Sequence, residues 1–300
     1  MAGYKPGEQP NRLDIVKLNT NENPYPPCDE VMEELRRMST EDLRRYPSSL
    51  AREFCETASK IHDLGMENII ATNGGDELLR LAITTFIDPG QPLGIADPCY
   101  SLYPVLADIQ GCPVIQVPLD NQWEIPDDFS YRLNKYEAKM AIVVNPHAPS
   151  GRLTDAKRLA EIADEFRGVL LIDEAYVNFI DPELGYDSVR LVKDYNNILI
   201  LRSLSKGYSL AGLRFGYGIA AEEIISPMLL KTKDSYNVNA VSQRLATAAL
   251  MNIKKAEKTW EAVRKERIRL SIDFKDMGLS CEPSQSNFIL VTVKDRWAGG

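Results

Sequence analysis

The stretch RSLSKGYSLAGLRFGYG, residues 202–218, leaves the apolar run NILIL and at once presents Lys206 between Ser205 and Gly207, with Ser203 before it and Arg214 eight positions later. A lysine amine forms a Schiff base with a carbonyl compound once desolvation or nearby positive charge depresses its pKa. The bland alternative is a solvated surface lysine, the usual fate of that residue. Asp173 closes another apolar run, VLLID. A carboxylate there either caps a helix, joins an internal ion pair, or clamps a cationic ring nitrogen. In TNGGDE, Gly75 and Asp76 open a helical pattern, so their free backbone N–H groups could receive a phosphate, although Gly-Gly before a helix is often only a tight turn. Tyr100 in DPCY and Asn145 after MAIVV complete the polar residues that follow apolar runs.

These positions need a scaffold that brings them together. Short β-rich runs at 68–72, 93–96, 114–117, 140–145, 169–173, 197–202 and 215–220 read as buried strands, several flanked by helical stretches. One intervening helix is clear after SGRLTD, where Leu159, Ile162, Ala163 and Phe166 recur at helical spacing with Thr154 or Asp155 as cap. Strand, helix, strand implies a parallel crossover, and ligands of open parallel sheets collect at the carboxyl ends of the strands. A lysine, a carboxylate, a phosphate cradle and an aromatic ring converging on such an edge describe a pyridoxal 5'-phosphate site. The first twenty-odd residues, polar and proline-bearing, read as an extended arm, and a long charged helix near 254–278 followed by LSCEPSQSNFILVTV suggests at least one more strand in a smaller domain.

Composition narrows the function. The chain has 300 residues, 44% of them hydrophobic, enough for a large core, and a formal net charge of −8 that argues against nucleic acid or an anionic membrane as partner. Five cysteines, Cys28, Cys55, Cys99, Cys112 and Cys281, are widely spaced without a CxxC pair or a secretory leader, so free thiols and a cytoplasmic location are expected. No apolar run approaches a membrane span. His62 and His147 stand alone, which leaves no zinc cluster, and no G-x-S-x-G elbow exists. No metal site is expected.

NPHAPSG (145–151), DEAYVNF (173–179), SLSKGYSLAGLRFGYG (203–218) and LNTNENPYPP (18–27) together resemble the fold-type I aminotransferases, and most closely the histidinol-phosphate aminotransferases. The resemblance implies an α/β fold with a mostly parallel central sheet, flanking helices and a smaller α/β domain. It divides the chain into an arm and part of the small domain (1–45), a large cofactor-binding domain (46–255) and a small C-terminal domain (256–300). It also implies amino-group exchange between L-glutamate and imidazole acetol phosphate, giving L-histidinol phosphate in histidine biosynthesis. Threonine-phosphate decarboxylase and aromatic amino-acid aminotransferase share the cofactor residues and stay open, as does a cofactor-binding module with weak catalysis.

By the same resemblance, Lys206 tethers the cofactor aldehyde and shuttles the proton. Asp173 pairs with the ring nitrogen, Asn145 and Tyr176 bind the ring's phenolic oxygen, and Tyr100 stacks on the ring. Gly75, Asp76 through its backbone N–H, Ser203, Ser205 and Arg214 hold the phosphate. Tyr46 in RRYP reaches the cofactor of a second subunit, which implies a homodimer, while Tyr25 and Asn23 face the small-molecule amino acid or keto substrate. His147 and Ala148, where relatives often carry asparagines, are read as loop residues outside the core chemistry. The family continues past SNFILV to an arginine for the substrate's α-carboxylate; Arg296 stands too close to that strand to match it, so a truncated chain or a reduced small domain is expected.

Overall fold

The computed structural model describes residues 3–4, 7–10, 12 and 14–293. Seven strands, β1 (Ile69–Thr72), β2 (Leu93–Asp97), β3 (Val114–Pro118), β4 (Met140–Val144), β5 (Val169–Asp173), β6 (Ile198–Ser203) and β7 (Gly216–Ala220), form one sheet in the order β1-β7-β6-β5-β4-β2-β3. All seven coincide with the expected apolar runs. The central ones carry few polar residues because helices cover both faces of the sheet, so both side-chain sets must be apolar. Ala141, Val143, Leu170 and Ile172 point into one core, and Ile142, Val144, Leu171 and Leu199 into the other.

Helices α1 (Asp29–Arg37), α2 (Thr40–Arg44), α3 (Arg52–His62), α4 (Gly75–Phe86), α5 (Leu102–Gln110), α6 (Phe129–Lys135), α7 (Ala156–Glu165), α8 (Leu191–Asp194), α9 (Glu222–Pro227), α10 (Ala240–Met251) and α11 (Ile253–Asp276) supply the covering layers. α4, α5 and α9 close one core; α3, α6, α7, α10 and the start of α11 close the other. α7 begins as expected, with the Asp155 carboxylate accepting the Arg158 N–H. α1 and α2 are fastened to α10 by Arg244, which pairs with Glu34 and Asp42.

The sheet departs from uniform parallel pairing at β7, which runs antiparallel to both β1 and β6. The connection from β6 to β7, residues 204–215, holds turns and a single helical turn at Ala211–Leu213 but no α-helix to cross a face of the sheet, and the strand returns antiparallel beside its predecessor. β1 is thereby parallel to β2–β6, and the carboxyl ends of β1, β2, β4, β5 and β6 still share one edge.

Beyond α11 two short strands, β8 (Ser280–Cys281) and β9 (Val291–Thr292), pair antiparallel with each other. The expected strand through SNFILV is thus only its last part; Phe288, Ile289 and Leu290 instead line the cavity described next. Arg296 lies outside the described residues. No helix among those residues is long and apolar enough to cross a membrane. All five cysteines are free, and no cluster of three potential metal ligands occurs among the described residues.

Candidate active site

A cavity of about 1030 Å³ opens at the shared strand edge, lined by Gly75, Asp76, Tyr100, Asp173, Tyr176, Ser203, Ser205, Lys206 and Arg214 among others. Nine of the residues singled out in the sequence therefore meet at one place. The register explains how: Asp173 is level with Val144 on one side and Leu201 on the other, so the turns after β5 and β6 emerge together.

Lys206 follows β6 in a turn whose Ser205 N–H is accepted by the Ser203 hydroxyl at 3.1 Å. Its ammonium donates to the Thr20 carbonyl of the arm and lies 5.9 Å from the centroid of the Tyr176 ring. Burial lowers its pKa, assisted by Lys17 and Arg214 and opposed by Glu22. Deprotonation, which nucleophilic attack on an aldehyde requires, is thereby made easier.

Asp173 is only 6% exposed. Its Oδ2 accepts from the Tyr103 hydroxyl at 2.8 Å and its Oδ1 from the Ala175 N–H at 3.1 Å. Among the described residues no cation pairs with it, and burial pushes its carboxyl up to about 6. Asp76 is matched by Arg214 and Glu22 by Lys17. An anion placed in a dry wall of a cavity without its own cation is suited to a ligand that brings one, such as a protonated ring nitrogen.

The phosphate end is built from a glycine turn. Gly74 adopts φ +84°, and a methyl group there would meet Arg214 Nη2 at 2.8 Å. Gly216 of β7 packs so closely that its own methyl would lie 2.8 Å from Gly75 N. The turn feeds directly into α4, whose first N–H groups have no partner within the helix and can receive an anion. Arg214, itself at φ 55°, holds the Asp76 carboxylate at 3.1 Å and aims at the same spot. The Ser203 and Ser205 hydroxyls complete a donor set that fits a phosphate, and with Lys206 and Asp173 the whole fits pyridoxal phosphate.

Other expected residues are placed differently. Asn145 is fully buried, but its amide donates to Thr154 O and Tyr186 Oη and accepts from Thr154 N–H, so it braces a loop and does not line the cavity. Ala148, further along the same loop, is among the residues that line it. His147 does behave as a loop brace, its ring bridging Pro98 O and Ser150 Oγ at 2.8 Å each.

Asn23 ties the arm to Gly207 O and Thr259, and Tyr25 packs against the core; neither lines the cavity, whereas Asn19, Thr20, Asn21 and Glu22 do. Asn21 donates to the Tyr176 hydroxyl at 3.1 Å and is itself held by Asn287. Tyr46 is 80% exposed and stacks on Tyr236 at 4.4 Å, away from this chain's own cavity. Sequence reasoning missed Tyr103, Asn21 and Phe288; Tyr103 sits in the first turn of α5, three positions after Tyr100, which lies in the turn before that helix.

This sheet, with a lysine after β6 and a carboxylate ending β5, is that of the fold-type I pyridoxal-phosphate enzymes. Residues 13–297 match the family described as aminotransferase class I and II, and the chain belongs to that family. It is 38% identical over 290 residues to histidinol-phosphate aminotransferase of Rippkaea orientalis, covering 97% of this chain and 80% of the relative. It is 37% identical over 289 residues to the protein of that name in Microcystis aeruginosa, covering 96% and 80%. Among solved structures, the Sinorhizobium meliloti histidinol-phosphate aminotransferase in complex with pyridoxal-5'-phosphate superposes with a TM-score of 0.85 at 22% identity, over 92% of this chain and 75% of that one. The Clostridium acetobutylicum histidinol-phosphate aminotransferase gives 0.82 at 24% identity, over 92% and 82%.

Proposed function

We propose that the chain is a pyridoxal-phosphate aminotransferase of histidine biosynthesis, exchanging an amino group between L-glutamate and imidazole acetol phosphate to form L-histidinol phosphate. The observation that carries the chemistry is the convergence of Lys206, the cation-free Asp173 carboxylate and the Arg214–Gly75 turn on one cavity. The substrate rests on the relatives' shared name at 36–38% identity.

Bound there, pyridoxal phosphate supplies an aldehyde for the amine and a ring that takes up the electron pair released at the substrate's α-carbon. Asp173 stabilises the proton on the ring nitrogen, because an anion in a low-dielectric wall favours the charged ring. Lys206 Nζ, its pKa lowered by burial, serves as the base that takes and returns the substrate's proton. Tyr176, held by Asn21, offers its hydroxyl to the ring's phenolic oxygen, and Tyr100 presents its face. Arg214, which pairs with Asp76 at the rim of the cavity, would hold the cofactor phosphate together with the N–H donors of the first turn of α4. Asn19–Glu22 of the arm and Phe288, which meets the Tyr176 ring edge-on at 5.0 Å, line the cavity where a substrate would sit.

The active form in this reading is a homodimer in which Tyr46 of one protomer reaches the cavity of the other. The exposed Tyr46–Tyr236 stack, with Leu43 three residues earlier in the chain and 65% exposed, supports such a contact. Free cysteines throughout suit the reducing cytoplasm.

The test is steady-state kinetics of the purified, cofactor-loaded protein with L-histidinol phosphate and 2-oxoglutarate. Parallel lines in double-reciprocal plots are expected, since the two substrates use one site in turn. Intersecting lines, or faster turnover of threonine phosphate with CO2 release or of phenylalanine, contradict the assignment.

A further inference from the structure

Tyr103 was not among the expected site residues, yet it touches two of them. It is fully buried on the first turn of α5, and its hydroxyl donates to Asp173 Oδ2 at 2.8 Å. Its ring meets that of Tyr100 edge-on at 90° and 5.7 Å, and its backbone N–H donates to Tyr100 O at 3.1 Å. A tyrosine hydroxyl in a dry core needs an acceptor, and any nearby carbonyl would serve. Here it meets the cavity carboxylate that has no cation among the described residues. Burial and the adjacent carboxylate both hold the phenol protonated, so it remains the donor.

We infer that Tyr103 is a positioning residue for the cofactor ring: its hydroxyl holds the Asp173 carboxylate in place for a protonated ring nitrogen, and its ring edge sets Tyr100 against the same cavity. This rests on the proposed pyridoxal-phosphate chemistry. The groups facing Asp173 are Asp76 from α4, Tyr100 and Tyr103 from α5 and the turn before it, Glu174 and Tyr176 from its own segment, and Lys206 and Arg214 across the cavity. Asp76 and Glu174 raise its pKa, while the Tyr103 hydrogen bond lowers it. Loss of that bond makes the carboxylate harder to form and weakens the counter-charge at any pH near its titration.

The experiment is fluorescence titration of the apo-protein with pyridoxal phosphate from pH 5.5 to 9, comparing wild type with Tyr103→Phe, which keeps the buried ring. The variant is expected to bind about eightfold more weakly at pH 5.5, a loss that narrows to about twofold at pH 7 and disappears by pH 9, as a one-unit rise in the Asp173 titration requires. Its acid limb, where Asp173 takes up a proton, should move up by about one pH unit, and any limb due to Lys206 should stay in place. In an Asp173→Asn background the effect of Tyr103→Phe should vanish. A loss uniform across pH and unchanged in that background makes Tyr103 a packing residue and overturns the inference. Should Tyr103→Phe fail to fold, site-specific 3-fluorotyrosine, a stronger donor of similar shape, should move the acid limb down; no movement overturns the inference. Wild-type protein that takes up no pyridoxal phosphate overturns the proposed function as well, which separates the two failures.

Discussion

Asp173 carries a stability cost that the apo-protein should reveal. Burial raises its carboxyl from the ordinary 3.8 to about 6. Each pKa unit corresponds to about 1.4 kcal/mol, so ionising it in the folded state disfavours folding by about 3 kcal/mol relative to the unfolded chain. The sign follows from proton uptake. Below pH 3.8 the group is protonated in both states and costs nothing; between 3.8 and about 6 the folded state holds the proton more tightly, so stability falls as pH rises; above about 6 the full cost is present. Asp173→Asn removes the charge and keeps the shape, so the apo-variant should match wild type near pH 4 and exceed it by about 3 kcal/mol at pH 8. In thermal terms that is roughly 5–10 °C for a chain of this size. Urea denaturation of both apo-proteins at pH 4, 6 and 8 is the assay. Equal stabilities at pH 8, or a difference that does not change with pH, would refute the reasoning that this carboxylate is buried without a cation. Saturating pyridoxal phosphate should stabilise wild type far more than the variant, because only wild type retains the counter-charge.

The other predictions concern neighbouring parts of the same machinery. Lys206→Ala should abolish amino-group exchange while leaving the urea midpoint of the apo-protein within about 1 kcal/mol equivalent, since a lysine in a strand-end turn contributes little packing. Arg214→Gln leaves the Asp76 carboxylate facing the phosphate without its cation, and equilibrium dialysis should show pyridoxal phosphate binding weakened roughly a hundredfold, as expected for about two lost charge-assisted hydrogen bonds. Glu174→Gln breaks the pair with Arg202, whose partner carboxylate is fully buried, and should destabilise the protein by about 3–5 kcal/mol in urea denaturation.

Much of this arrangement was legible in the sequence because a parallel strand covered on both faces must be apolar throughout, and polar residues that interrupt such runs fall at strand ends. Lys206, Asp173, Ser203 and Gly75 were readable on that ground. The reversed direction of β7 was not, since FGYGIA has the same apolar character whichever way it runs. Asn145 and Ala148 share one loop, and only the fold shows that the amide of the first turns into the loop while the second faces the cavity. Tyr103 looked like any core aromatic on α5, because its importance lies in a hydrogen bond to a residue 70 positions away. The arm was legible as irregular chain, but the contacts that lay Asn19–Glu22 over the cavity, such as Asn287 to Asn21 O and Lys206 to Thr20 O, join residues far apart in sequence.

The account depends above all on the Lys206 amine lying within covalent reach of the cofactor aldehyde. Borohydride reduction of the protein loaded with pyridoxal phosphate, followed by proteolysis and mass spectrometry, measures this directly. The modification is predicted on the peptide containing Lys206 and should be lost in Lys206→Ala; a reduced adduct on another lysine, or none in protein that has taken up the cofactor, would contradict it.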